Sequence, residues 1–241
     1  MFRHIHRALA CLMLAGLAAC VSAPEIPFDH AANPGIKNIG LIQPYMSPSA
    51  NVILASDIGQ SFGLIGALVD AGMMANRNSK FAALLAQQGV NPSANFSGDL
   101  KAALTAHGYS VTDVPMTRDR ADLLKTYPPA GANPVDAYLD VSVYNYGYIA
   151  SGIGDASPYR PFVGLRCRLV RASDGAVLME DGVAYNPVTF AGASVKAVTL
   201  SPDPAYVFVD FDTLTGKPDG AVKGLNAALV NSADAIGTLV Q

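Results

Sequence analysis

Between Asp136 and Tyr148 apolar and polar positions alternate. Leu139, Val141 and Val143 fall on one side, and Tyr138, Asp140, Ser142, Tyr144 and Tyr146 on the other. A period of two predicts a β-strand with one face in the core. The pattern resumes in Pro161–Arg171, where Val163, Leu165, Cys167 and Leu169 alternate with Gly164, Arg166, Arg168 and Val170. Ser173-Asp174-Gly175 then predicts a turn into Ala176–Tyr185, completing a β-hairpin. Ile36–Gln43 is a short apolar run that fits a first strand, Tyr109–Pro115 fits a second, and Tyr206–Phe211 a short edge strand. Helical signals lie between them. Asn51 to Gly89 is Ala/Gly-rich with short polar interruptions and ends on the helix-stop sequence Gly89-Val90-Asn91-Pro92. Asp99–Ala106 is closed by His107-Gly108, Asp119–Lys125 fits a short helix, and Ala221–Val240 carries Leu225, Leu229, Ile236 and Leu239 roughly on one face.

This order predicts an α+β fold: a mixed four- to five-stranded sheet with helices packed on one face. A long Ala/Gly-rich helical stretch follows the first strand, a β-hairpin comes late, and a helix closes the chain. Residues 36–241 read as one domain, large enough to build its own core.

The amino terminus changes the picture of where the chain resides. Arg3 and Arg7 precede an apolar run, Ala8–Leu17, and then Leu17-Ala18-Ala19-Cys20. This build resembles a bacterial lipoprotein signal, whose lipobox reads Leu-[Ala/Ser]-[Gly/Ala]-Cys. The apolar stretch falls short of the about 20 residues that cross a bilayer. The resemblance implies that residues 1–19 are removed, that Cys20 is diacylglycerylated and N-acylated, and that residues 20–35, with Pro24, Pro27 and Pro34, form a tether. Such acylation suffices for stable anchoring. Val21 stands where an Asp would resemble an inner-membrane retention signal, which implies the outer membrane, facing the periplasm. Loss of Arg3 and Arg7 takes the net charge from −3 to −5, and no basic run remains. Nucleic acid is therefore not an expected partner. With Cys11 removed and Cys20 acylated, Cys167 has no partner for an intramolecular disulfide.

The lipobox, the Pro-rich tether and the α+β layout with a late hairpin together resemble the periplasmic lipoproteins of the CsgG, TolB-N-terminal and transport-auxiliary group. The resemblance covers Ile36–Tyr185. It implies a non-enzymatic binding, scaffolding or assembly factor for an envelope protein complex, without a cofactor. The 51–89 stretch is longer than that layout needs. An oligomeric pore or lipid-handling component, using the Ala/Gly-rich helix, is a further alternative.

Candidate chemistry is sparse. Gly59-Gln60-Ser61-Phe62-Gly63 satisfies G-x-S-x-G, so a serine hydrolase built on Ser61 is the enzymatic alternative. The chain after Cys20 offers only His30 and His107 as a base, and His30 lies in the tether. Neither HExxH nor CxxC occurs, and no histidine or cysteine pair has ligand spacing, so no metal site is expected. GxGxxG and P-loop sequences are absent as well. Two interaction features remain. Ala55, Gly59, Gly63, Ala67, Ala71, Ala75, Ser79 and Ala83 form a row of small residues at every fourth position. Gly59, Gly63, Ala67 and Ala71 are the candidate close helix–helix contact, within the domain, in a homo-oligomer or at lipid. Tyr144 and Tyr146, with Arg166 and Arg168, form a candidate partner face, because Tyr and Arg are enriched at interface hot spots.

Overall fold

The alternation at Asp136–Tyr148 becomes the central strand of a mixed sheet. A computed structural model describes residues 25–55, 63–151, 158–187 and 197–241. The strands within them are β1 (Asn38–Ile42), β2 (Tyr45–Met46), β3 (Asn51–Ala55), β4 (Ser110–Val114), β5 (Ala137–Ser151), β6 (Tyr159–Arg171), β7 (Val177–Tyr185) and β8 (Val198–Leu200). The helices are α1 (Gly63–Gln87), α2 (Pro92–Ala106), α3 (Phe211–Gly216) and α4 (Pro218–Leu239), with a 3-10 turn at Pro204–Tyr206. The sheet runs β4-β1-β5-β6-β7-β8, and β2 and β3 follow β1 along the same edge of β5. These three short strands act as one interrupted strand parallel to β5, whereas β6 and β7 are antiparallel neighbours. The expected α+β class is present, and the strand count exceeds expectation because the short β2, β3 and β8 join the sheet.

One sheet face is covered by helices. Phe81, Leu84 and Leu85 of α1, Phe96, Leu100 and Leu104 of α2, and Leu225, Leu229 and Ile236 of α4 bury against Leu139, Val141, Leu165 and Leu169. Tyr148 stands beneath α4 and donates to the Ala221 carbonyl at 2.8 Å. Gly224 gives it room, since a Cβ there would lie 2.4 Å from the phenol oxygen.

The other face is crossed by the connection from β4 to β5. Met116, Leu124, Tyr127 and Val135 of this strap pack on Ile42, Val114 and Tyr138. The short helix expected at Asp119–Lys125 does not form. Its backbone groups bond to strand side chains instead: Leu124 N–H donates to Asp140, while the Leu124 and Ala121 carbonyls accept from Arg168 and Ser142. Three further expectations are corrected. The helical stretch expected from Asn51 begins only at Gly63 within the described residues, because Asn51–Ala55 pairs with Gly147–Ser151 as β3. The second helix starts earlier than Asp99, at Pro92, where the Asn91 side chain caps it by accepting from Ala94 N–H at 3.1 Å. The edge strand expected at Tyr206–Phe211 reduces to one bridge, Phe208 to Tyr159, before Asp210 caps α3.

The end of the Pro-rich segment is not a free tether. Ile26 and Glu180 exchange backbone hydrogen bonds of 2.8 and 2.9 Å, Phe28 packs on the core, and Arg171 donates to the Asn33 side chain at 2.8 Å.

Candidate functional site

The sheet face under the strap carries a polar cluster that the sequence pattern placed in part. Asp140 is 0% exposed, and its carboxylate accepts from Arg118, from Leu124 N–H at 2.7 Å and from the Tyr127 hydroxyl at 3.1 Å. Arg118 also donates to the carbonyls of Val141 at 2.8 Å and Asp122 at 3.1 Å, and its Nε is buried without a partner. Two strands away, on β7, Glu180 accepts from Arg166 at 2.9 Å and from Arg168 at 2.7 Å, both on the intervening β6. Burial and the Asp140 carboxylate push the Tyr127 phenol well above its ordinary range, so it stays a donor. Arg118 lies outside every periodic element, and only its position on the strap brings it to Asp140.

The structure divides the four residues of the candidate partner face. Pairing of β5 with β6 shifts register between Val143 and Asn145, so Tyr144 is the extra residue of a β-bulge. One inserted residue swaps the faces of all that follow. Tyr146 therefore turns into the helix-covered core, 4% exposed. Tyr144 stays on the strap side with Arg166 and Arg168, 44% exposed. Its ring lies over Gly164, where a Cβ would meet it at 2.8 Å. Partial burial raises the Tyr144 phenol pKa, and the Arg166 guanidinium pulls against that shift.

A cleft of about 330 Å³ opens at the carboxyl ends of β1 and β4, between Gln43–Pro48, the start of α2, Thr117 and Arg118. A hollow of about 420 Å³ shares Gln43, Pro44, Asn91 and Ser93 and extends to Asp113. Crevices at the carboxyl ends of parallel strands commonly bind ligands in α/β sheets. Here the walls are mainly prolines, amides and hydroxyls, with Leu41, Met46, Ala94 and Val114 adding apolar surface. The two charges are already engaged, Arg118 with Asp140 and Asp113 with Lys101 at 2.6 Å.

Of the candidate helix contact, Gly63, Ala67 and Ala71 lie on α1, and Gly59 falls outside the described residues, as do Ser61 and Cys20. Ala71 is exposed, together with Gly72, Met73, Met74, Ala75 and Asn76. His107 sits at the carboxyl end of α2 beside Gly237 and contacts the Gln241 side chain. That is the amino-terminal end of β1 and β4, away from Ala55 and Gly63, which flank Ser61 in sequence. Among the described residues no group of three His, Cys, Asp or Glu has metal-binding geometry. No described helix is long and apolar enough to cross a membrane. Cys167 is 0% exposed, and burial pushes its thiol far above the usual range.

No protein-family description and no curated protein matches this sequence. Among solved structures the chain is similar to the PelC dodecamer from Paraburkholderia phytofirmans, at 10% identity and a TM-score of 0.35, over 86% of this chain and 89% of that one. It is also similar to lipoprotein GNA1162 from Neisseria meningitidis, at 15% identity and a TM-score of 0.27, over 65% of this chain and 84% of that one. Neither likeness reaches a level that identifies a family.

Proposed function

We propose that this chain is a non-enzymatic outer-membrane lipoprotein, anchored through acylated Cys20, whose periplasmic domain is a binding and scaffolding factor for an envelope protein complex. The observation that carries the binding role is the bulge. It lifts Tyr144 out of the core, seats the ring on Gly164, and leaves it half-exposed beside Arg166, whose side chain is 47% exposed. A rigid aromatic next to a half-free guanidinium is the composition of an interface hot spot. The Tyr144 ring rests on Gly164 and Arg166 is already ion-paired with Glu180, so little side-chain entropy would be lost on docking.

Two experiments test the halves of this reading separately. Cys20→Ser should move the protein from the membrane fraction to the soluble fraction and abolish incorporation of a palmitate probe. Retained labelling in that variant would refute acylation at Cys20. For the binding role, mature protein purified from its own envelope should carry stoichiometric protein partners. Tyr144→Ala combined with Arg166→Ala should reduce that yield about tenfold or more, the range expected when hot-spot residues are truncated. The melting temperature should change little, because both side chains are half-exposed. An unchanged yield would place the partner surface elsewhere.

A further inference from the structure

Charge on the strap side of the sheet does not cancel. Register sets Asp140 beside Arg168, Ser142 beside Arg166, and Arg168 beside Glu180, so these side chains share one face. With Arg118 from the strap, three guanidiniums meet two carboxylates there, which leaves one positive charge in excess. Both acids are fully used. Asp140 holds Arg118, the Leu124 amide and the Tyr127 hydroxyl. Glu180 gives Oε1 to Arg166 Nη2 at 2.9 Å and Oε2 to Arg168 Nε at 2.7 Å. The exposed charges of the strap, Arg120 and Lys125 against Asp119 and Asp122, balance one another.

Access decides where the surplus charge appears. The Arg118 side chain is 6% exposed, that of Arg168 23% and that of Arg166 47%. Arg168 also gives Nη1 to the Leu124 carbonyl at 3.2 Å. Arg166 bonds through Nη2 alone, and its Nε and Nη1 have no hydrogen bond among the described residues. The uncompensated cation therefore surfaces at Arg166, beside the half-exposed Tyr144 ring that lies over Gly164.

We infer that the Tyr144–Arg166 face recognises a carboxylate of a partner protein, an Asp or Glu side chain whose neighbouring apolar group packs on the Tyr144 ring. This rests on that face being the partner-binding surface proposed above. The part of the Arg166 fork that Glu180 leaves unused can donate two parallel bonds to a carboxylate, the strong and geometrically specific form of this contact. One surplus charge matches one carboxylate, whereas phosphate groups are met by clusters of arginines. The chain as a whole carries −3. An acidic partner is repelled by most of this surface, so a lone exposed cation sets where it docks. A second copy docking by the same face does not fit, because an isologous contact would bring only the two acids that are already paired.

The experiment uses the full chain in its own envelope with Arg166→Lys, treated with a water-soluble carbodiimide, which joins an amine to a carboxylate without a spacer. Mass spectrometry should find an amide between position 166 and an Asp or Glu of another protein. Adding Tyr144→Ala should lower the yield of that product about tenfold. In parallel, Arg166→Gln should lower the copurifying partner about tenfold. Raising the salt from about 0.05 to about 0.5 M should lower it severalfold in the unmodified chain, since the contact is half-exposed. Arg168 still holds Glu180 in each variant, so the melting temperature should stay constant. Linkage to Glu180 of the same chain alone, or a partner yield unchanged by Arg166→Gln, would overturn the inference. Linkage to a second copy of this chain would overturn it as well, because the occupant would then be the chain itself. The double variant Tyr144→Ala with Arg166→Ala separates the two readings. If it lowers the yield where Arg166→Gln does not, the surface stands and carboxylate recognition fails; if it too changes nothing, the surface itself fails.

Discussion

Asp140→Ala should lower the stability of the domain by about 3–5 kcal/mol, the loss expected when one member of a buried ion pair is removed. The carboxylate is 0% exposed and the Arg118 side chain 6% exposed, so neither charge can turn to water. Removing the carboxylate also strands the Leu124 amide and the Tyr127 hydroxyl, which hold the strap to the sheet. Arg118 would keep only its bonds to the Val141 and Asp122 carbonyls, with Nε already lacking a partner. Urea unfolding should show the loss as a lower midpoint with little change in slope. The double variant Arg118→Met with Asp140→Ala should recover part of it, because it removes the uncompensated charge as well as the pair. A shift below about 0.5 kcal/mol for Asp140→Ala, the range of ordinary surface substitutions, would show that the strap does not depend on this pair.

How much of this was legible follows from the range of the interactions involved. The β5, β6 and β7 strands and α4 were readable because their signals are local: alternation, an Asp-Gly turn, and apolar residues on one helical face. The strand Asn51–Ala55 was not. Its short apolar run merges with the Ala/Gly-rich sequence that follows, and its pairing partner begins only at Gly147. The bulge at Tyr144 also escaped, since tyrosine suits both a core and a surface, and the series Tyr144, Tyr146, Tyr148 continues the alternation across the inserted residue. Asp140 fell on the polar side of the pattern, where nothing in the sequence marks it as buried. It is buried because an irregular strap with no periodicity of its own covers that face. The candidate site was therefore half legible. Tyr144, Arg166 and Arg168 were named from residue type and spacing, whereas Arg118 and Asp140 become a pair only through tertiary contact.

The same bulged stretch supplies the second large effect. Gly147→Ala should cost about 2–6 kcal/mol, combining overpacking with an unfavourable backbone. Gly147 sits at φ 138°, a region that favours glycine. A Cβ there would lie 2.0 Å from the Asn51 carbonyl oxygen and 2.7 Å from its nitrogen. Those are main-chain atoms, so no side chain can swing aside, and β3 must move off β5. Asn51 is also the hub of a side-chain chain, donating to Asn145 at 2.7 Å and accepting from Asn78 at 3.2 Å. Displacing β3 therefore loosens α1 where Asn78 holds it to the sheet. Hydrogen exchange at the Val52 amide, which donates to Asn78, should accelerate more than exchange at Leu169 in the centre of the hairpin. Gly175→Ala isolates the backbone contribution. Gly175 has φ 74° and nothing within 4 Å of a Cβ, so that variant should cost only about 1–2 kcal/mol. If Gly147→Ala is no more damaging than Gly175→Ala, β3 is not packed against Gly147, and the attachment of α1 to the sheet must be redrawn.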